Sequence, residues 1–187
     1  MRIVVASGKG GTGKTLVATS LAWWWSRNRP DVVYADVDVE EPNGHLFLGP
    51  EIDATDRVRV EVPRLEGFCD GCGRCADACA FHAILPAAGR VLVFHELCHS
   101  CRACIDACPT RVLRPMLREV GDLRTGHVGS LQFVDGRLDV GEVRAVPVIA
   151  AVLAAVGPGS RDQRVVVDRS EERRGGKECR SRGSPYH

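Results

Sequence analysis

Eight of the nine cysteines in this 187-residue chain lie between Cys69 and Cys108, in two quartets of the same spacing. Cys69, Cys72, Cys75 and Cys79 make one C-x2-C-x2-C-x3-C run, and Cys98, Cys101, Cys104 and Cys108 make the other. The opening residues, MRIVVASGKGG, lack a basic stretch, an apolar run and a cleavage site, so no export signal is expected and the chain is expected to be cytoplasmic. In a reducing compartment clustered thiols serve as metal ligands rather than disulfides. Zinc needs two C-x2-C pairs, and a third evenly spaced cysteine in each run does not fit that pattern. The spacing favours an iron–sulfur cluster for each quartet. His82, His95 and His99 stand near the block but are read as surface or packing residues, because eight thiolates already fill two clusters.

The remainder has the composition of a folded domain, with 44% hydrophobic and 26% charged residues. A formal net charge of +1 argues against a mainly electrostatic nucleic-acid binder, and no run of about 18 apolar residues is present to span a membrane. Arg2 to Ala6 reads as a buried strand, Thr15 to about Asn28 as a helix, and Asp31 to Ala35 as a second strand. That is a βαβ unit, which implies a parallel sheet. An acidic, turn-rich connection follows from Asp36 to about Pro50, and Asp53 to Val62 is expected to be an exposed strand. The cysteine block runs from about Gly67 to Pro115. Leu131 to Val140 is expected to form a hairpin with Asp135-Gly136 in its turn. Pro147 to Val156 reads as a helix stopped by Gly157-Pro158-Gly159, and Arg164 to Asp168 as a third parallel strand. In Trp23-Trp24-Trp25 at least one ring must face the core.

Between the first strand and the first helix, Gly8-Lys9-Gly10-Gly11-Thr12-Gly13-Lys14-Thr15 fits the phosphate-loop pattern G-x-x-x-x-G-K-S/T, in the context that the pattern requires. Glycines let backbone N–H groups close around phosphate oxygens, and the helix N-terminus adds a favourable dipole. Lys14 is placed to reach the β and γ phosphates, and the Thr15 hydroxyl to ligate Mg²⁺. In an open parallel sheet ligands sit at the carboxyl ends of strands, where Asp36, Asp38 and Asp168 stand.

The pattern KGGTGKT resembles the deviant Walker A of the MinD/ParA/Mrp class of P-loop ATPases. The resemblance implies ATP and Mg²⁺ as ligands and an ATP-dependent homodimer, or a heterodimer with a related ATPase, in which Lys9 reaches the partner's nucleotide. It further implies that Asp38 positions the attacking water, that Asp36 supports the metal shell and that Asp168 is the Walker B aspartate. The two quartets resemble bacterial two-cluster ferredoxins, in which the fourth cysteine of each run serves the other cluster. That implies one [4Fe–4S] cluster on Cys69, Cys72, Cys75 and Cys108, and a second on Cys98, Cys101, Cys104 and Cys79. Cys108 is followed by Pro109, as in the ferredoxin pattern, whereas Cys79 is followed by Ala80.

The expected fold is therefore α/β: a partial parallel-sheet P-loop NTPase domain with an inserted α+β ferredoxin-like two-cluster module. The ATPase domain is expected at 1–62, the insertion at 63–117 and the return to the ATPase sheet at 118–168. Arg169 to His187 carries six Lys/Arg and three Glu but no aliphatic side chain. It closely resembles the in-frame translation of a common sequencing adapter, apart from Gly175 and Gly183. Native sequence is accordingly expected to end near Asp168, leaving out the family's later switch segment and strands, so that the fragment itself is expected to be inactive. The combination implies a protein in which ATP binding and hydrolysis gate electron transfer to a redox partner. A metal-cofactor assembly carrier and an ATP-binding redox sensor are the alternatives.

Overall fold

The computed structural model describes residues 1–7, 11–87, 89–158 and 162–169. Strand β1 (Arg2–Val5) leads through the glycine-rich turn into helix α1 (Lys14–Asn28), and strand β2 (Val32–Asp36) follows. A short helix α2 (Gly44–Leu48) precedes the long strand β3 (Glu51–Leu65). The cysteine block holds helix α3 (Arg74–Asp77), strands β4 (Ile84–Ala87) and β5 (Arg90–Val93), and helix α4 (Ala103–Asp106). The chain returns along β6 (Leu113–Val128) and β7 (Leu131–Leu138), then through helix α5 (Ala145–Val156) to β8 (Arg164–Asp168).

Six strands form one sheet in the order β1-β8-β2-β7-β6-β3. The first four run parallel, and β6 and β3 are antiparallel additions at one side. Every residue of β2 is buried, as a central strand covered on both faces requires. On one face Ala18 and Ala22 of α1 pack over Tyr34, Phe133 and Val166. On the other, Val152 and Val156 of α5 pack over Val33, Ala35, Val134 and Val167. Burial of each such valine contributes roughly 1.5–3 kcal/mol. Of the three tryptophans, Trp25 packs against the α1 core while Trp23 and Trp24 are exposed, and Arg27 lies over the Trp23 ring at 4.7 Å.

The expected hairpin turn at Asp135-Gly136 is not there. Both residues lie inside β7, and the β6–β7 turn falls at Gly129-Ser130, with Gly129 at φ 58°. Tertiary contacts override the turn propensity of the pair. Asp135 is fully buried against Arg124, and Gly136 is the floor on which three valines converge. A methyl at Gly136 would stand 2.7 Å from Val148 Cγ1, 2.8 Å from Val152 Cγ2 and 2.9 Å from Val39 Cγ1. The strand expected at 53–62 also proves longer. β3 pairs with β6 from Glu51↔His127 to Leu65↔Leu113, and together they carry the cysteine block at their far end.

Gly136→Ala should lower stability by about 1–3 kcal/mol, the usual cost of overfilling a close-packed core. The midpoint of urea unfolding is the measurement, and an unchanged midpoint would show that the valines can give way.

Candidate functional site

The described part of the phosphate loop places Gly11 and Gly13 at φ 71° and 83°, a conformation open to glycine, and α1 begins at Lys14. Gly8, Lys9 and Gly10 lie outside the described residues, and with them the expectation for Lys9. Thr12 donates its hydroxyl hydrogen to Ser7 Oγ or accepts one from it, at 2.8 Å. An open cleft of about 560 Å³ is lined by Gly13, Lys14, Thr15, Asp38, Glu41 and Asn43, among others. The loop lysine Lys14, Thr15 and Asp38 thus face one space. Glu41 and Asn43, to which the sequence assigned no chemistry, line it too.

Strand register gathers three further aspartates, none of which is among the residues lining this cleft. Asp36 of β2 stands opposite Asp168 of β8 on one side and Asp135 of β7 on the other. All three are buried. Each is stabilised differently, because three carboxylates side by side in a low dielectric repel. Asp135 forms a bidentate ion pair with Arg124. Asp168 accepts a hydrogen bond from the Tyr34 hydroxyl at 3.1 Å, and burial together with Asp36 and Asp168 keeps that phenol protonated. Asp36 accepts the Asp38 N–H at 3.0 Å on one oxygen and the Gly44 N–H at 2.9 Å on the other. Its carboxylate therefore ties down both ends of the loop that presents Asp38. Gly44 is required at the second anchor because the Tyr34 ring occupies the space of a Cβ. Burial pushes Asp36 up to about 7 against the pull of those two N–H groups. Burial and the Asp168 charge also raise Asp38, while the Glu41 N–H and the Lys14 charge oppose them. Asp135, Tyr34, Arg124 and Gly44 had no functional signal in the sequence; only strand register reveals them.

The second cysteine quartet, with one exchange, encloses a small cavity. Cys79, Cys98, Cys101 and Cys104 line it together with Ala83 and Ile105, and Phe81 and His99 stack at 3.7 Å beside it. Burial, followed by the charges of Cys98, Cys79 and Cys101, pushes the Cys104 thiol up to about 11. Cys75 is raised by burial and by Cys69 and Cys72 in the same way. Burial opposes ionisation of Cys108, but the N–H groups of Leu113, Val112 and Arg111 and the Thr110 hydroxyl outweigh it. Backbone N–H groups also point at sulfur: Gly71 at Cys69 (3.4 Å), Ala83 at Cys79 (3.3 Å) and Ser100 at Cys98 (3.5 Å). Among the described residues no three His, Cys, Asp or Glu side chains gather closely enough to hold a single metal ion.

A phosphate loop at the carboxyl end of a parallel sheet, facing an aspartate from the loop after β2, defines a P-loop nucleotide-binding domain. The sequence profile of the CobQ/CobB/MinD/ParA nucleotide-binding domain matches residues 3–182, and the chain belongs to that family. It is also similar to an uncharacterized protein of Methanocaldococcus jannaschii, 39% identical over 147 residues, which are 76% of this chain and 50% of that protein. The chain thus spans about half the length of the curated relative it matches. Among the described residues no helix is long and apolar enough to cross a membrane.

The nucleotide-free protein should lose stability as pH rises from about 4 to about 7, because folded Asp36 keeps a proton that the unfolded chain has released. Asp36→Asn should flatten that slope in urea midpoints taken at about pH 5 and about pH 8. A slope that persists in the variant would place its origin elsewhere.

Proposed function

We propose that the protein binds and hydrolyses ATP at the phosphate loop, carries two [4Fe–4S] clusters on its eight clustered cysteines, and uses the nucleotide cycle to gate electron transfer to a redox partner. The observation that carries this reading is the coexistence of two built sites in one chain: the cleft of Lys14, Thr15 and Asp38, and the cavity of Cys79, Cys98, Cys101 and Cys104.

The residues of the first site have distinct tasks. Loop N–H groups and Lys14 bind the phosphates, and Thr15 takes one position on Mg²⁺. Asp38, steadied by Asp36 through its own N–H, orients the water that attacks the γ-phosphorus. The bond from γ-phosphorus to the bridging oxygen breaks, and ADP and phosphate leave. The raised proton affinity of Asp38 suits a group that holds a water proton during attack. Lys9 is assigned the partner's nucleotide in an ATP-dependent dimer.

For the second site, three facts support the crossed ligand assignment. Cys79 comes from the first run, yet it shares a cavity with three cysteines of the second. The two runs fold alike, with Gly73 and Arg102 at φ 79° and 67° before α3 and α4, and His82 and Arg111 at φ 51° and 53° after Cys79 and Cys108. That symmetry gives Cys108 the corresponding role with Cys69, Cys72 and Cys75. N–H groups aimed at Sγ suit ligands that carry negative charge, as cluster thiolates do. The clusters, when bound, supply reversible one-electron storage. Burial of Cys75, Cys79, Cys98 and Cys104 suits clusters that stay rather than cargo that is handed on.

Lys14→Ala should weaken ATP binding by about 10- to 100-fold, the worth of a charge-assisted hydrogen bond, and leave the iron–sulfur absorption intact. Loss of both together would refute two separate sites. In anaerobically reconstituted protein, Cys108→Ser should damage the cluster on Cys69, Cys72 and Cys75 and spare the other, as read by electron paramagnetic resonance of the reduced state. Damage confined to the cluster on Cys98, Cys101 and Cys104 would overturn the crossed assignment.

A further inference from the structure

The loop that presents Asp38 does not end in solvent. Val39, the next residue, is 2% exposed and belongs to the same core as Cys75, Cys79, Cys98 and Cys104. Its carbonyl accepts the Leu138 N–H at 2.8 Å, it shares a buried core with Val148 of α5, and its Cγ1 converges with Val148 and Val152 on the space over the bare backbone of Gly136. At the start of that helix stands Arg144, a buried arginine. Its Nε and Nη2 hold Glu142 at 2.7 and 2.5 Å, and its Nη1 donates to the carbonyl oxygen of Cys98 at 3.5 Å. One helix therefore touches the residue after Asp38 with its middle and the backbone of a cysteine ligand with its N-terminal flank.

We propose that α5 is the coupling element between the two sites, with Val39 as its input and Arg144 as its output. The proposal rests on the reading of an ATP site and a cluster on Cys98, and names how one acts on the other. A triphosphate with its metal in the cleft would bring strong new charge against Asp38, which in the nucleotide-free protein is tied by its N–H to Asp36, and would draw it to a new position. Val39 cannot stay still when its neighbour moves, and Gly136 leaves no Cβ to shield α5 from it. A close-packed interior passes such a displacement on rather than absorbing it. At the other end, Arg144 brings its charge and its hydrogen bond to the Cys98 loop, so a shift of α5 alters the polar surroundings of that cluster's sulfur. The paired strands β3 and β6 offer a competing route. They are cross-linked by Arg57, which binds Glu119 at 3.0 Å, Asp122 at 2.7 Å and Asp139 at 2.5 Å, and they reach the cysteine cavity through Glu61 of β3, which pairs with Arg102 at 2.9 Å.

Coupling free energy is reciprocal, so an ATP effect on the cluster must appear as a redox effect on ATP affinity. The experiment measures the ATP dissociation constant of the reconstituted full chain, air-free, in its oxidised and its dithionite-reduced state. The unmodified chain should show a ratio of about fivefold or more between the two states. Val39→Ala and, separately, Arg144→Lys should bring the ratio to near one while keeping iron content and the affinity of the oxidised state. Arg57→Ala should leave the ratio unchanged. Ratios preserved in both Val39→Ala and Arg144→Lys, or abolished by Arg57→Ala alone, would overturn the α5 route. A ratio of one in an unmodified chain that takes up iron and ATP would overturn coupling through any route. Failure of that chain to take up iron and sulfide, or to bind ATP, would instead overturn the two-site reading beneath it. Two chemically different changes at opposite ends of α5 guard against a single destabilised variant deciding the matter.

Discussion

The antiparallel ladder between β3 and β6 is the constraint on which the rest of the molecule depends. β2 and β7 are parallel neighbours, so the chain must leave β2, travel a long way and return in the same direction. An ordinary α/β unit makes that crossover with one helix. Here the chain runs out along β3, builds the cysteine module and comes back along β6, paired from Leu65↔Leu113 to Glu51↔His127 with register shifts at Val58/Arg59 and Ile52/Ala54. The β6–β7 turn then delivers β7 beside β2. The module is thus closed on itself by paired strands, and the nucleotide-binding sheet does not depend on the module's interior for its register.

The same ladder sets the electrostatics of the cleft. By fixing β7 against β2 it brings Asp135 level with Asp36 and, through β8, with Asp168. β6 then contributes Arg124 from the neighbouring position to neutralise Asp135. An unpaired third carboxylate at that depth would push Asp36 and Asp38 still further toward their neutral forms. Arg124 therefore limits the repulsion among the carboxylates beside the cleft.

The sequence made the local parts of this architecture legible and left the non-local ones hidden. A phosphate loop is a contiguous pattern flanked by its own strand and helix, and Lys14 and Thr15 open α1 while Asp168 ends β8 and Asp38 lies in the loop two residues past β2. The cysteine spacing is equally local. Asp135-Gly136 misleads for the opposite reason. Its residue types signal a turn, but Arg124 and the valines that decide its conformation come from β6, from α5 and from the loop after β2. The extent of β6 was hidden as well, because a sixteen-residue strand carrying Pro115, Gly121 and Gly126 lacks the alternation of a shorter one. Gly121 and Gly126 are there because backbone carbonyls, of Arg137 and Glu51, occupy the space of their side chains. Asp36 shows a finer limit. Its place at a strand end is readable, but its partners, the N–H groups of Asp38 and Gly44, become visible only once the loop is folded.

The cysteine module carries a cost that its protein contacts alone do not explain. His82, Ser100, Arg102 and Arg111 have positive φ values, and all the non-glycine residues so placed among the described ones are in this module. Such conformations cost on the order of 1–2 kcal/mol each outside glycine. In the first run the positions matching Ser100 and Arg102 are Gly71 and Gly73, so the strain falls mainly on the second run and on the paired turns at His82 and Arg111. Each strained residue lies within three positions of a cysteine. Cys79, Cys98, Cys101 and Cys104 line one cavity there, and Ser100 in its strained conformation aims its N–H at Cys98 Sγ. Burial sets the buried thiols against ionisation and against one another, as the rise of Cys104 records. Under the proposed reading, strained turns and crowded thiols would both be offset by the bound clusters, because metal binding contributes directly to folding free energy.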